Sequence, residues 1–545
     1  MRLFLPPSAE EPPPYRELDY DSIRENIENM ASPEPPRALG MFRYPDQLEY
    51  QIDDVSRFSP VSPIWKTMIN AGSINGLLNV NVCEQLTLLQ EELGFRYARM
   101  ESVLTDESIP ALPGGQYNFS HFDRAIEQLL SLKLTPFLDL SFKGDPTLLS
   151  RSGGLYRGDR PRARSTEREF LEKTAALLRH CINTFGAGEV ETWGVELCAL
   201  HDERLFPLEK PAEYGRRFVA AFRMIKQWLP HMLVGGPEHH VAMDNAFLKE
   251  VAEHIRAEGI EPDFFSLCAI PYVQTQPGSN DVPLVISPDP DFIPNTVREL
   301  REIIRHVMGK PVPLWITVFG PDIRTRNHLN DSLYQATFLV KNTIDLIGLA
   351  DVLGYWQLSD IENEYTDTTR ALFGGTGILS KDGLKKPGFT ALKRMARLCT
   401  QMVERSAGLL VTTNGINTYN VVLYNYSHFN DTYCLSTGEG INPDMVYTVF
   451  RDSAARDITL RLGGLPRGRY RVITVTLNRE YGCLFDDWMA YGILDNMQPY
   501  DLHYLRDIVH PHRAVQYYEC TDGTIELAMQ MLPHEVKFLT ILLEL

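Results

Sequence analysis

Glu191-Thr192-Trp193-Gly194-Val195-Glu196-Leu197-Cys198 is a short apolar run with one acid inside it, flanked by amphipathic segments at 167–185 and 212–228. A run of this length and apolar content reads as a buried strand, and the flanking segments repeat at the helical period. The same alternation continues outward in both directions. Strand-like runs stand at 66–71, 95–100, 135–140, 191–198, 232–236, 264–269, 312–318 and 352–357. Helical patterns lie between them at 81–93, 122–132, 167–185, 212–228, 246–258, 294–308 and 331–346. The period is clearest in the first, where Val82, Leu86, Leu89 and Leu93 fall on one face. Eight β-then-α units over roughly 330 residues predict a (β/α)₈ TIM barrel of the α/β class.

From about residue 402 the pattern changes. Alternating strands such as Asn420-Val421-Val422-Leu423-Tyr424-Asn425-Tyr426 follow one another, punctuated by Gly and Pro. These predict an antiparallel β-sandwich. The expected domains are therefore a Pro-rich linker or tail at 1–37, a segment at 38–63 that could add to the sandwich, a barrel at 64–400 and a β-sandwich at 401–545.

Composition narrows the function. The chain has 545 residues, 44% hydrophobic and 23% charged, with a net charge of −18. Such an acidic surface repels phosphate backbones and argues against nucleic-acid binding by this chain. No apolar run approaches the ~18 residues of a membrane span. The start, Met1-Arg2-Leu3-Phe4-Leu5-Pro6, offers only three consecutive apolar residues, too few for a signal-peptide core. Eight cysteines occur without a CxxC pair and read as reduced core residues of a cytoplasmic protein, with neither disulfide nor zinc site. No metal or cofactor is expected. In a TIM barrel the active site lies at the C-terminal strand ends. The longest insertions follow the third strand (143–166, with Arg151, Arg157, Arg160, Arg162 and Arg164) and the sixth (272–293), so both belong to that face. The basic loop there reads as a solvated surface or as a contact for an anionic ligand.

Several segments together carry a family resemblance. They are Gln90-Glu91-Glu92-Leu93-Gly94-Phe95, Tyr117-Asn118-Phe119, Pro136-Phe137-Leu138-Asp139-Leu140-Ser141-Phe142, Val234-Gly235-Gly236-Pro237, Tyr355-Trp356-Gln357-Leu358-Ser359-Asp360 and Phe373-Gly374-Gly375-Thr376-Gly377-Ile378-Leu379. In this order and at these spacings the chain resembles glycoside hydrolase family 39, the β-xylosidases and α-L-iduronidases. The segment 477–488, Leu477-Asn478-Arg479-Glu480-Tyr481-Gly482 onward, is similar to a branch found fused behind AraC-type helix-turn-helix regulators. A helix-turn-helix partner domain, absent from this chain, is thus one implied partner.

The resemblance implies retaining hydrolysis by two carboxyl groups ~5 Å apart, one protonating the leaving oxygen and one attacking the anomeric carbon. The family's acid is the Glu of an Asn-Glu-Pro segment ending the fourth strand, and its nucleophile is the Glu of a Thr-Glu-Trp segment ending the seventh. Those positions here hold Leu200 and Val318. Neither side chain transfers a proton or forms a glycosyl ester. A family His near the end of the second strand corresponds to Glu101, and its sixth-strand His-Thr-Tyr-Pro corresponds to Cys268-Ala269-Ile270-Pro271.

Candidates for relocated carboxylates are Glu203, Glu101 and Glu362, although Glu203 lies up to ~10 Å past the acid position along an extended chain. Residues that could meet a sugar are Glu101, Asp139, Glu196, Asp202, Trp356 and Asp360. Glu196 and Asp139 also read as buried structural acids, and Trp356 as a core aromatic or a stacking platform. Three readings follow: a catalytically silent barrel that binds or senses a small saccharide, an active glycosidase with relocated carboxylates, or a structural module whose mouth is filled by apolar side chains.

Overall fold

The computed structural model describes residues 47–142, 166–199, 209–274, 284–322, 324, 326–362, 368–436 and 441–544, with Glu362 described in its backbone alone. Eight parallel strands close into a barrel: β1 (Met68–Ser73), β2 (Tyr97–Glu101), β3 (Thr135–Asp139), β4 (Gly194–Glu196), β5 (Leu233–His240), β6 (Phe264–Ala269), β7 (Leu314–Phe319) and β8 (Val352–Tyr355). All eight expected strands are present. β5 runs to His240, four residues past its expected end, through a cis Gly236–Pro237 peptide.

A helix follows each strand, and the first shows why. In Val80–Leu93 the Asn79 side chain accepts from the Asn81 N–H at the start, and Gly94, at φ +70°, ends the helix in the left-handed region open to glycine. Its buried face is Val82, Leu86, Leu89 and Leu93, joined by Gln85. Glu167–Phe185 starts in the same way, with the Thr166 hydroxyl accepting from the Glu169 N–H at 3.1 Å.

Side chains of a barrel strand alternate between interior and helix layer. Within the barrel, Met68, Tyr97, Phe137, Phe264, Trp315 and Val352 form one compact apolar cluster. Phe264 stacks on Trp315 with centroids 4.1 Å apart. The fourth strand contributes Gly194 at this level because a β-carbon there would strike the Phe137 ring. Two residues further along the strands stand Asn70, Arg99, Asp139, Glu196, Ser266 and Thr317, all buried and all polar. The interior is thus an apolar plug beneath a polar layer.

The C-terminal region builds a seven-stranded sheet and a three-stranded sheet. The seven-stranded sheet is antiparallel throughout, from Ser59–Pro60 at one edge to His512–Cys520 at the other. In the smaller sheet, Gln47–Ile52 runs parallel to Arg456–Leu462, the one parallel pair among the described strands outside the barrel. The faces of the two sheets share an apolar core that includes Val411, Val421, Leu460, Val472 and Ile541. The other face of the large sheet meets the helix Leu333–Asp345. There Tyr334 lies 4.7 Å from Phe429 and 5.5 Å from Phe450, and the Thr337 hydroxyl donates to the His534 carbonyl at 2.5 Å. Among the described residues no helix is long and apolar enough to cross a membrane.

Candidate functional site

The polar layer is organised by Arg99. Its position on β2 turns it into the barrel, where it is 1% exposed. Its Nε donates to Glu196 at 2.9 Å, Nη1 to the Asn70 side-chain oxygen at 3.1 Å, and Nη2 to Asp139 and Glu238, each at 3.1 Å. Five strands are tied together by these bonds: Asn70 comes from β1, Asp139 from β3, Glu196 from β4 and Glu238 from β5. A sixth joins when the Thr317 hydroxyl of β7 donates to the second oxygen of Glu196 at 2.7 Å. The Asn70 amide in turn donates to the Thr317 carbonyl at 2.9 Å. The Glu238 N–H donates to the Ser266 hydroxyl of β6 at 2.8 Å.

One guanidinium faces three carboxyl groups. Burial alone would pull the Arg99 pKa down, but Glu196, Glu238 and Asp139 outweigh it and hold Arg99 charged well above its ordinary range. Burial pushes Glu196 up, Arg99 opposes it, and the neighbouring Glu238 and Asp139 push it further up. Asp139, Cys198 and Glu238 bring ligand-type atoms within 4.8 Å of one another. Arg99 Nη2 already sits on both carboxylates and 3.8 Å from the Cys198 sulfur, so a cation there would meet a fixed positive charge.

The strand ends above this layer are less polar. Val318, 4% exposed, pairs in register with Cys268 of β6, and Ile270 lies buried beyond it. Glu101 ends β2 at 7% exposure. Trp356, half-buried, follows β8 and leads into a cis Trp356–Gln357 peptide. The loops after β6 and β7 are tied to the C-terminal domain. Tyr272 donates to Asp322, Arg324 forks onto both oxygens of Asp322 at 3.1 and 3.2 Å, and Arg324 and Asn327 both donate to the Tyr433 hydroxyl.

Asp139 and Glu196 of the expected sugar contacts therefore come together around Arg99, both 0% exposed. Asp360 does not join them. It belongs to a second buried cluster, where Lys386 reaches Asp331 and Asp360, each at 2.7 Å, and donates to the Gly375 carbonyl at 2.8 Å. Asp360 also accepts from the Gly377 N–H at 2.8 Å, and Asp331 from the Gly374 N–H at 2.7 Å. Leu200, Asp202, Glu203 and the Glu362 side chain lie outside the described residues, as does most of the arginine-bearing stretch 143–166. Sequence reasoning passed over Arg99, Glu238 and Lys386. The signal for Arg99 was a charge two positions after the aromatic Tyr97 in a strand otherwise buried.

The family model described as Glycosyl hydrolases family 39 matches residues 49–526. A beta-xylosidase of Geobacillus stearothermophilus is 24% identical over 499 residues, covering 88% of this chain and 92% of that protein. An uncharacterized HTH-type transcriptional regulator of Staphylococcus aureus (strain MSSA476) is 22% identical over 241 residues, 44% of this chain and 30% of the regulator. Among solved structures, a monomeric beta-xylosidase from Caulobacter crescentus CB15 superposes with a TM-score of 0.75 at 20% identity, covering 91% of this chain and 100% of that one.

Proposed function

The chain belongs to glycosyl hydrolases family 39, and from that membership we propose that it binds a saccharide at the barrel mouth without cleaving it. The observation that carries this reading is Val318. At the seventh-strand position where the family resemblance calls for a nucleophilic Glu, the chain has an aliphatic side chain, 4% exposed. A glycosyl ester cannot form there. The half-buried Trp356 at the end of β8 supports retained sugar binding, since an indole face stacks well on a pyranose ring. Likeness to an HTH-type regulator over 241 residues supports a sensing role, in which bound sugar shifts an equilibrium between two states.

The competing reading is hydrolysis by relocated carboxylates. Asp139 and Glu238 favour it, because their oxygens lie within 4.8 Å, close to the spacing a retaining pair needs. Against it, both carboxylates already accept from the buried Arg99 Nη2, which occupies the space between them that a glycosidic bond would need. Titration calorimetry with xylose, xylobiose and other pentose and hexose oligomers should detect binding, while aryl β-xyloside turnover stays at the buffer rate. Turnover above buffer that vanishes in Glu238→Gln would replace the silent reading with the active one. No sugar binding by folded protein would leave the filled, structural barrel.

A further inference from the structure

A second cavity lies where the last barrel helix, Pro387–Met395, meets the seven-stranded sheet. A helix that returns antiparallel to β8 brings its C-terminal end to the face of the barrel opposite the strand C-termini. The cavity, of about 380 Å³, is therefore remote from the mouth and falls within the size range of small-molecule sites. Its walls carry Arg394 and Arg397 from the helix end and Arg513 from the edge strand His512–Cys520. Phe538, Asn420 and Thr540 also line it; the Asn420 Nδ2 donates to the Thr540 hydroxyl at 3.4 Å, and the Asn420 Oδ1 accepts from the Cys399 N–H at 3.0 Å.

These three arginines line one cavity with no acid among its lining residues. The net charge is −18, and many of the cations find acids: Arg324 takes Asp322, Arg461 takes Glu526, and Lys393, one residue from Arg394, takes Glu92 at 2.8 Å. Among the described residues no carboxylate lies within ion-pair distance of Arg394, Arg397 or Arg513. The Arg394 Nε is buried without a hydrogen-bond partner. Burial, then Arg397 and Arg513, depress the Arg394 pKa. A basic residue at a helix C-terminus offsets the helix dipole, which accounts for Arg394. It does not account for Arg513, which a strand more than a hundred residues on brings to the same cavity.

We propose that this seam between barrel and sheet binds a small-molecule oxyanion bearing at least two negative charges, a phosphate ester or a polycarboxylate. Guanidinium forks match the paired oxygens of either group, and three of them suit a multiply charged ligand better than a single carboxylate. The Thr540 hydroxyl proton and the second N–H of the Asn420 amide are left for neutral hydrogen bonds to the ligand, and Phe538 offers an apolar wall. Because the walls come from both domains, an occupied site stiffens the joint between them.

The test uses the full chain, with inorganic phosphate and citrate as probes against chloride at matched ionic strength. Calorimetry and thermal unfolding should show saturable binding of phosphate, citrate or both, and the preferred probe identifies the ligand class. Arg394→Gln and Arg513→Gln should each weaken that binding about tenfold or more, as expected for losing a charge-assisted hydrogen bond. In anion-poor, low-salt buffer, Arg397→Gln should unfold at a higher temperature than the wild type, because one repelling charge is gone. Binding no stronger than chloride's, or equal binding in the Gln variants, overturns the proposal. A saccharide titration unchanged in those variants keeps this outcome separate from that of the mouth.

Discussion

Arg99 holds six strands of the barrel in one hydrogen-bonded layer, directly or through Glu196. Arg99→Met would fill most of the volume but leave three buried carboxyl groups without their cation. It should cost about 3–5 kcal/mol in urea unfolding, the range for breaking a buried ion pair from one side. Arg99→Lys should recover little of this, since an ammonium cannot serve Asn70, Glu196 and the Asp139–Glu238 pair from one plane. Stability equal to wild type in Arg99→Lys would show that charge alone matters. At Val318, introducing Glu places a carboxylate in an apolar, buried position. Val318→Glu should lower the unfolding temperature and leave aryl-xyloside turnover at the buffer rate, because a retaining site needs a partner acid as well. At this scale the sequence was half legible. The family resemblance singles out Val318, and Glu196 and Asp139 read as buried acids. Their shared partner is not legible, because contacts between residues such as Arg99 and Glu238 exist only once the sheet has closed.

Elements were read more easily, since hydrophobic period reports which face of a strand or helix is buried. What period cannot report is how loops are pinned. The loop Phe373-Gly374-Gly375-Thr376-Gly377 lies against Asp360 and Lys386 so closely that a β-carbon at Gly375 or Gly377 would overlap Asp360. Burial raises Asp360 to about 7, Lys386 opposing and Asp331 adding to the shift, whereas Asp331 itself is lowered, its own burial being outweighed by Lys386 and His328. An acid with a raised folded pKa stabilises the fold fully below the ordinary carboxylate range and loses that contribution as pH rises toward 7. Asp331 acts in the opposite sense, and its contribution disappears only on acidification. From pH 5 to 7.5 the wild type should therefore lose stability relative to Asp360→Asn, measured as the difference in urea midpoints. A difference that stays constant across that window would mean that Asp360 does not titrate in it.

Across the whole molecule the two domains share side chains as well as a linker. Tyr334, 1% exposed, comes from a barrel helix and lies among Phe429, Phe450 and His534 of the C-terminal region. Calorimetry should show one unfolding transition. Tyr334→Ala should move that transition as a unit, by about 3–5 kcal/mol for a large buried aromatic. Two resolved transitions in the wild type would contradict this coupling. The domain order was legible because strand-and-helix alternation gives way to strand-only alternation near residue 400, but the contacts across the seam left no local pattern to read. The pairing of Gln47–Ile52 with Arg456–Leu462 has a consequence in time. Roughly 400 residues separate the partners, and at about 5–20 residues per second a ribosome needs some 20–80 s to deliver the second after the first. For that interval the early strand is an unpaired edge while the barrel between them can already assemble, which leaves the nascent chain open to mispairing until Arg456–Leu462 emerges.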